Sequence, residues 1–217
     1  MGAERQEDYE FKIKPDEVKA STINRVTPSD RELEWDKSKT LISKTDSNGT
    51  ILYANEAFID VCGYDDYELM DQPASILRHP DMPKIIFKSL WENLSKGINT
   101  TIIMKNMSKT GRFFWIQNNI ECIKDANSNF TYVGRQKSIS NEVVSKIEPL
   151  YKKLLQIETA NGITSSENYL TGFLEDKNKT LIDFMICTID NKLEIDNSQS
   201  QNNVKKKGGF FSNFFAD

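Results

Sequence analysis

Residues 41–64 read LISKTDSNGTILYANEAFIDVCGY. Leu41-Ile42-Ser43-Lys44-Thr45 forms a short strand, Asp46-Ser47-Asn48-Gly49 a turn, and Thr50-Ile51-Leu52-Tyr53-Ala54 a second strand. Asn-Gly accepts positive φ at little cost, so the pair reads as a hairpin. Asn55 is placed to cap a short helix carrying Ala57, Phe58, Val61 and Cys62. Gly63-Tyr64 ends that helix.

Working outward, Pro73, Pro80 and Pro83 break the chain into small turns. Met82 to Lys96 is the clearest helix of this half. Ile86, Leu90 and Leu94 recur at helical spacing, with Phe87 and Trp91 beside them. Gly97 follows as a C-cap. Thr100–Met107, Arg112–Ile123 and Phe130–Ile139 then read as three strands, separated by turns at Lys109-Thr110-Gly111 and 125–129. The order is two strands, four short helices or turns, then three strands. It predicts an α+β domain: a five-stranded antiparallel sheet with helices on one face, followed by a C-terminal helical extension.

The flanks differ in texture. Residues 1–38 form a polar N-terminal arm, expected to be partly disordered, with a short helix near 29–38 leading to Trp35. Beyond residue 140, Val143, Ile147, Leu150, Leu154 and Ile157 alternate by four and three, a coiled-coil-like stripe. Pro149 lacks an N–H, so a break or a new helix start is expected there. The stripe suits a homodimer, a partner's helix, or folding back on the sheet; these stay open. Two further helices are expected near 165–174 and 178–189. The remainder, 191–217, reads as a flexible basic and Phe-rich tail, with Lys205–Lys207 preceding Phe210, Phe211, Phe214 and Phe215.

Composition excludes several classes. The 217 residues carry 28 Lys+Arg against 32 Asp+Glu, a net charge of −4. Mild acidity argues against nonspecific nucleic-acid binding, which needs a positive surface. One histidine removes paired-His metal sites. Three spaced cysteines without a CxxC argue against a disulfide framework or a zinc site. No stretch reaches the roughly 18–20 apolar residues of a membrane span. No secretory signal opens the chain, so a cytoplasmic location is expected, with any membrane contact peripheral. A histidine kinase would need a phosphoacceptor His on a helix and a Gly-rich nucleotide loop; neither is present, and no enzyme is expected.

Residues 41–139 resemble a PAS sensor domain. The stretch DSNGTILYANEAFIDVCGYDDYELMDQP at 46–73 carries the general pattern. Arg78-His79-Pro80-Asp81-Met82-Pro83, with Phe87, Leu90-Trp91, Lys105-Asn106, Lys109-Thr110-Gly111 and Trp115, is similar to the FAD-binding PAS domain of Aer-type aerotaxis receptors. The resemblance continues into 147–152. It implies non-covalent FAD, with Asn55, Arg78, His79, Asp81, Phe87 and Trp91 at positions that hold the flavin or shape its pocket. Two departures stand out. Thr100 lies where the best-known members carry a second Trp, which would remove stacking area. Asp71 replaces a frequent Gly. The chain is too short for the receptors' membrane anchor and signalling coil. It resembles the CetB-like stand-alone sensors of two-protein energy-taxis systems. That implies a PAS sensor at 40–140 and a signalling extension at 141–190. It also implies a membrane-bound methyl-accepting-type transducer as partner, with recruitment to the inner membrane through it.

An isoalloxazine asks for an apolar slot and a few convergent hydrogen bonders. Phe58, Phe87, Trp91 and Trp115 are candidates for the walls, and Asn55 and Asn106 for the polar edge. Arg78 suits the FAD phosphates or the reduced ring, since its fork binds anions. Each has a plainer alternative. Phe87 and Trp91 fit ordinary core, Asn55 a helix cap, His79 a structural hydrogen bonder, and Arg78 with Asp81 a local ion pair. Two other functions are weighed: a cofactor-free PAS docking module, and a haem oxygen sensor using His79. A LOV-type light sensor, which reads a cysteine within N-C-R-F-L-Q, finds no such run here.

Overall fold

The structure, a computed structural model, describes residues 26–126 and 129–190. The hairpin read from sequence is present as β2 (Leu41–Thr45) and β3 (Ile51–Ala54). Asp46 sets the turn: its Oδ1 accepts the Asn48 and Thr50 amides at 2.9 and 2.8 Å. Helix α1 (Glu56–Cys62) follows, capped by Asn55 and ended by Gly63. A one-turn helix α2 (Asp66–Leu69) and a 3-10 turn (Ala74–Leu77) lead to α3 (Lys84–Ser95). Strands β4 (Thr100–Met107), β5 (Arg112–Lys124) and β6 (Phe130–Ser138) complete the sheet. Asp71 occupies the left-handed region at φ 61°, which Asp tolerates well enough to stand in for Gly.

The five expected strands pair antiparallel, β4 with β5, β5 with β6, β6 with β2 and β2 with β3. A sixth strand was not foreseen. Ser29–Glu32, expected as a helix, is an extended strand β1 that runs parallel to the start of β5. The Ser29 amide donates to the Gly111 carbonyl at 2.9 Å and Leu33 to Phe113 at 2.7 Å. An open sheet edge outweighs the weak helical propensity of this polar segment.

The extension is helical: α4 (Asn141–Asn161), α5 (Ile163–Asp176) and α6 (Leu181–Ile189). The break expected at Pro149 does not occur. Pro149 and Ser145, whose carbonyl loses its helical partner, are both exposed, so water can serve that oxygen. The opposite side of the helix anchors it: Val143, Ile147, Leu150 and Leu154 are buried. The stripe therefore packs on the chain's own core. Tyr151 donates to the Ile103 carbonyl at 2.7 Å, and its ring stacks on Trp115 at 6.2 Å.

Two apolar cores result. One joins Leu41, Ile51, Phe58, Leu69, Leu77, Phe114 and Ile116. The other joins α3, Ile102, Ile103, Trp115, Ile120 and Tyr132 to α4–α6. The tail expected at 191–217 lies outside the described residues, as does the arm before residue 26.

Candidate functional site

A cavity of about 120 Å³ lies at the seam of the two cores. Its apolar wall includes Ile51, Phe58 and Leu77 on one side and Phe87, Leu90, Trp91 and Leu94 from α3 on the other. The sheet supplies the floor: Ser43, Met104, Asn106, Asn118, Ile120, Tyr132, Gly134 and Gln136. Strand residues alternate between faces, and these share one face. Trp91 meets Tyr132 edge to face at 5.8 Å. Gly49 backs the indole: at φ 82°, a Cβ added there would lie 2.9 Å from the Trp91 ring.

Polar atoms converge on this space. Asn118 and Gln136 pair across β5 and β6. Each has a buried side-chain oxygen with no hydrogen-bond partner. Their nitrogens are engaged, Gln136 Nε2 donating to Ser43 Oγ at 3.2 Å and Asn118 Nδ2 approaching Met104 Sδ at 3.9 Å. Gly134 makes room for this amide, because a Cβ there would meet Asn118 Oδ1 at 2.7 Å. Buried polar oxygens are almost always satisfied, so two in one cavity mark a place for donors from outside the chain. Arg78 also lines the cavity, its guanidinium over the Phe87 ring at 3.9 Å.

Five residues singled out from sequence thus meet here: Phe58, Arg78, Phe87, Trp91 and Asn106. Four do not line the cavity. Asn55 is engaged with the backbone: Oδ1 accepts from Ile42 and Phe58 at 2.9 and 3.0 Å, and Nδ2 donates to Thr40 at 3.0 Å. It pins β2 to α1. Trp115 lies on the opposite sheet face, against Tyr151. His79 follows Arg78 in extended backbone and therefore points the other way. It is buried, its Nδ1 accepting the Asp81 amide at 3.2 Å and its ring edge-on to Phe113. Asp81 is half exposed and pairs with the buried Lys105, whose ammonium lies 4.6 Å from the Phe113 ring centroid. Burial, and then the Lys105 charge, hold the His79 imidazole below its ordinary value. Thr100 is buried, with its hydroxyl donating to the Ile98 carbonyl at 3.0 Å.

Sequence reasoning missed Asn118, Gln136 and Tyr132. A signal existed. Asn106 and Phe114 are directly opposed, which puts Phe114, Ile116, Asn118 and Ile120 on the Asn106 face and Trp115 on the other. The turn at Lys109-Thr110-Gly111 fixes that register.

The arrangement is a largely apolar cavity with buried acceptors and one guanidinium in its lining. Such a lining suits a largely apolar ring with polar edge groups. The described residues contain no cluster of His, Cys, Asp and Glu able to hold a metal ion.

A largely antiparallel sheet, with one parallel edge strand, short helices and a cavity between them, defines an α+β domain. Residues 51–134 match the family described as PAS fold, and this part of the chain has that fold. It is similar to the aerotaxis receptor of Escherichia coli (strain K12), 37% identical over 124 residues, which cover 57% of this chain and 24% of the receptor. A blue-light photoreceptor of Listeria innocua is 28% identical over 111 residues, covering 51% of this chain and 44% of that protein. The chain thus spans less than half the length of either relative. Among solved structures, one of a light-oxygen-voltage domain superposes with a TM-score of 0.46 at 23% identity, over 51% of this chain and 84% of that one.

Proposed function

We propose that this protein is a non-enzymatic sensor of redox or energy state that holds FAD non-covalently in the cavity. The signal leaves through α4–α6 to a separate membrane-bound chemotaxis transducer. The observation that carries the reading is the pair of unsatisfied oxygens on Asn118 and Gln136 inside an aromatic-lined slot. The similarity to an aerotaxis receptor supports the sensory role. No described helix is long and apolar enough to cross a membrane.

The chemistry of the lining residues suits the ring system of a flavin, and the cavity of about 120 Å³ would have to widen to admit it. Phe87, Trp91 and Tyr132 would face its plane, while Asn118 and Gln136 would accept from its N–H edge. Arg78 would hold a nearby anion, on the phosphates or the reduced ring. When bound, a flavin supplies reversible electron uptake with a change of charge or protonation at the ring. The amides of Asn118 and Gln136 would respond to that change by reorienting, since each presents a donor and an acceptor. None of Cys62, Cys122 and Cys187 lines the cavity, so the slot presents no thiol to a flavin. His79 is turned away from it, which leaves the haem reading without an axial ligand there.

The visible spectrum of the purified protein, oxidised and then reduced, tests the proposal. The expected result is a structured flavin band that bleaches on reduction. A chain that stays colourless after supplementation with FAD leaves the cofactor-free docking module instead.

A further inference from the structure

Helix α3 forms one wall of the cavity, but its opening turn is not closed by its own neighbours. Its N-cap is Pro83, which offers no side-chain acceptor, and its first turn holds no acidic residue. The acceptors come from α4. The amides of Lys84 and Ile85 donate to Oε2 and Oε1 of Glu158 at 2.9 and 2.8 Å, across 74 and 73 residues of sequence. A carboxylate is the best group for this place, since it satisfies two orphan donors and faces the positive end of the helix. One turn on, Lys88 donates to both carboxylate oxygens of Glu167 on α5, at 2.6 and 2.7 Å.

Thus α3 has two working sides. Lys84, Ile85 and Lys88 are fastened to the extension, while Phe87, Leu90, Trp91 and Leu94 line the cavity. We propose that Glu158 is a positioning residue for the cavity, clamping α3 so that ligand occupancy and the seating of α4–α5 bias one another. Its ligand arm rests on the reading of the cavity as a flavin site. A shift of α3 caused by a ligand must alter two hydrogen bonds to Glu158, and loosening those bonds must alter the wall. Linkage makes the two effects reciprocal.

Amide hydrogen exchange on the full chain, without and with saturating FAD, tests this. In flavin-free protein, Glu158→Ala is expected to speed exchange at Lys84 and Ile85 about tenfold, the scale of a lost cap. The loosening should reach Phe87–Trp91. Glu158→Gln keeps the length and one acceptor oxygen and should fall between. In the wild type, FAD should raise protection at Lys84 and Ile85. Loosening confined to Lys84 and Ile85, with Phe87–Trp91 unchanged, overturns the proposal. So does FAD that binds without changing those two amides. A wild type that takes up no FAD refutes the flavin reading alone, because the flavin-free comparison still decides the clamp.

Discussion

Asn118 and Gln136 stand directly opposite each other on β5 and β6, and each keeps one buried amide oxygen without a partner. An unsatisfied buried acceptor costs about 1–3 kcal/mol. Asn118→Leu and Gln136→Met keep the shape and remove the cost. Flavin-free protein with either change should be as stable as wild type, or about 1 kcal/mol more stable, in thermal denaturation. FAD affinity, read by fluorescence titration, should fall about tenfold or more. Unchanged affinity in both variants would sink the assignment of these amides.

Gly49 is constrained twice, by φ 82° and by the Trp91 ring behind it. Gly49→Ala is expected to destabilise the fold by about 1–3 kcal/mol in urea denaturation. Gly63 offers a control. It lies in the left-handed region at φ 71° and an added Cβ would meet only Lys109 Cβ, at 3.8 Å, so Gly63→Ala reports the conformational cost alone. The Gly49 variant should lose more.

His79 is the single histidine of the chain, so its titration can be isolated. Burial and Lys105 lower its folded pKa, while Asp81 and Asp30 act weakly in the opposite sense. Below the ordinary imidazole value of 6.5 the unfolded chain takes up a proton that the folded chain resists. The stabilising contribution is therefore complete above 6.5 and is lost as pH falls through the folded value. His79→Gln should flatten the fall in stability as pH drops below 6.5. A profile identical to wild type would show that His79 titrates normally.

Pro149 interrupts the hydrogen bonds of α4 on its exposed side. Pro149→Ala supplies the missing N–H to Ser145 and should raise stability by about 1–2 kcal/mol in chemical denaturation. A loss of stability would mean that the ring makes contacts worth more than that bond.

Much of the fold was legible because the local signals agreed. Asn48-Gly49, the Asn55 cap and the apolar spacing of α3 each point to the observed element. The site was legible only where a residue's face was fixed by its own element. Phe87 and Trp91 follow from helix periodicity, whereas Trp115 needed the register of β4 against β5. Arg78 and His79 are neighbours in one motif, yet extended backbone sends them to opposite sides of the sheet. The role of Glu158 could not be read from sequence at all, because its partners are more than 70 residues away.

The short strand β1 carries one more consequence. Thr27 passes so close to Gly111 that a Cβ there would meet its carbonyl oxygen at 2.5 Å, and Ser29–Glu32 covers the β5 backbone at Arg112–Phe113. A protein trimmed back to residue 40, just before β2, would bare that hydrogen-bonding edge beside Phe113, the ring against which His79 and Lys105 rest. Bare edges recruit strands from other molecules. Ser29–Glu32 thus shields that edge, and forms of the chain shortened past it should self-associate more than the full chain.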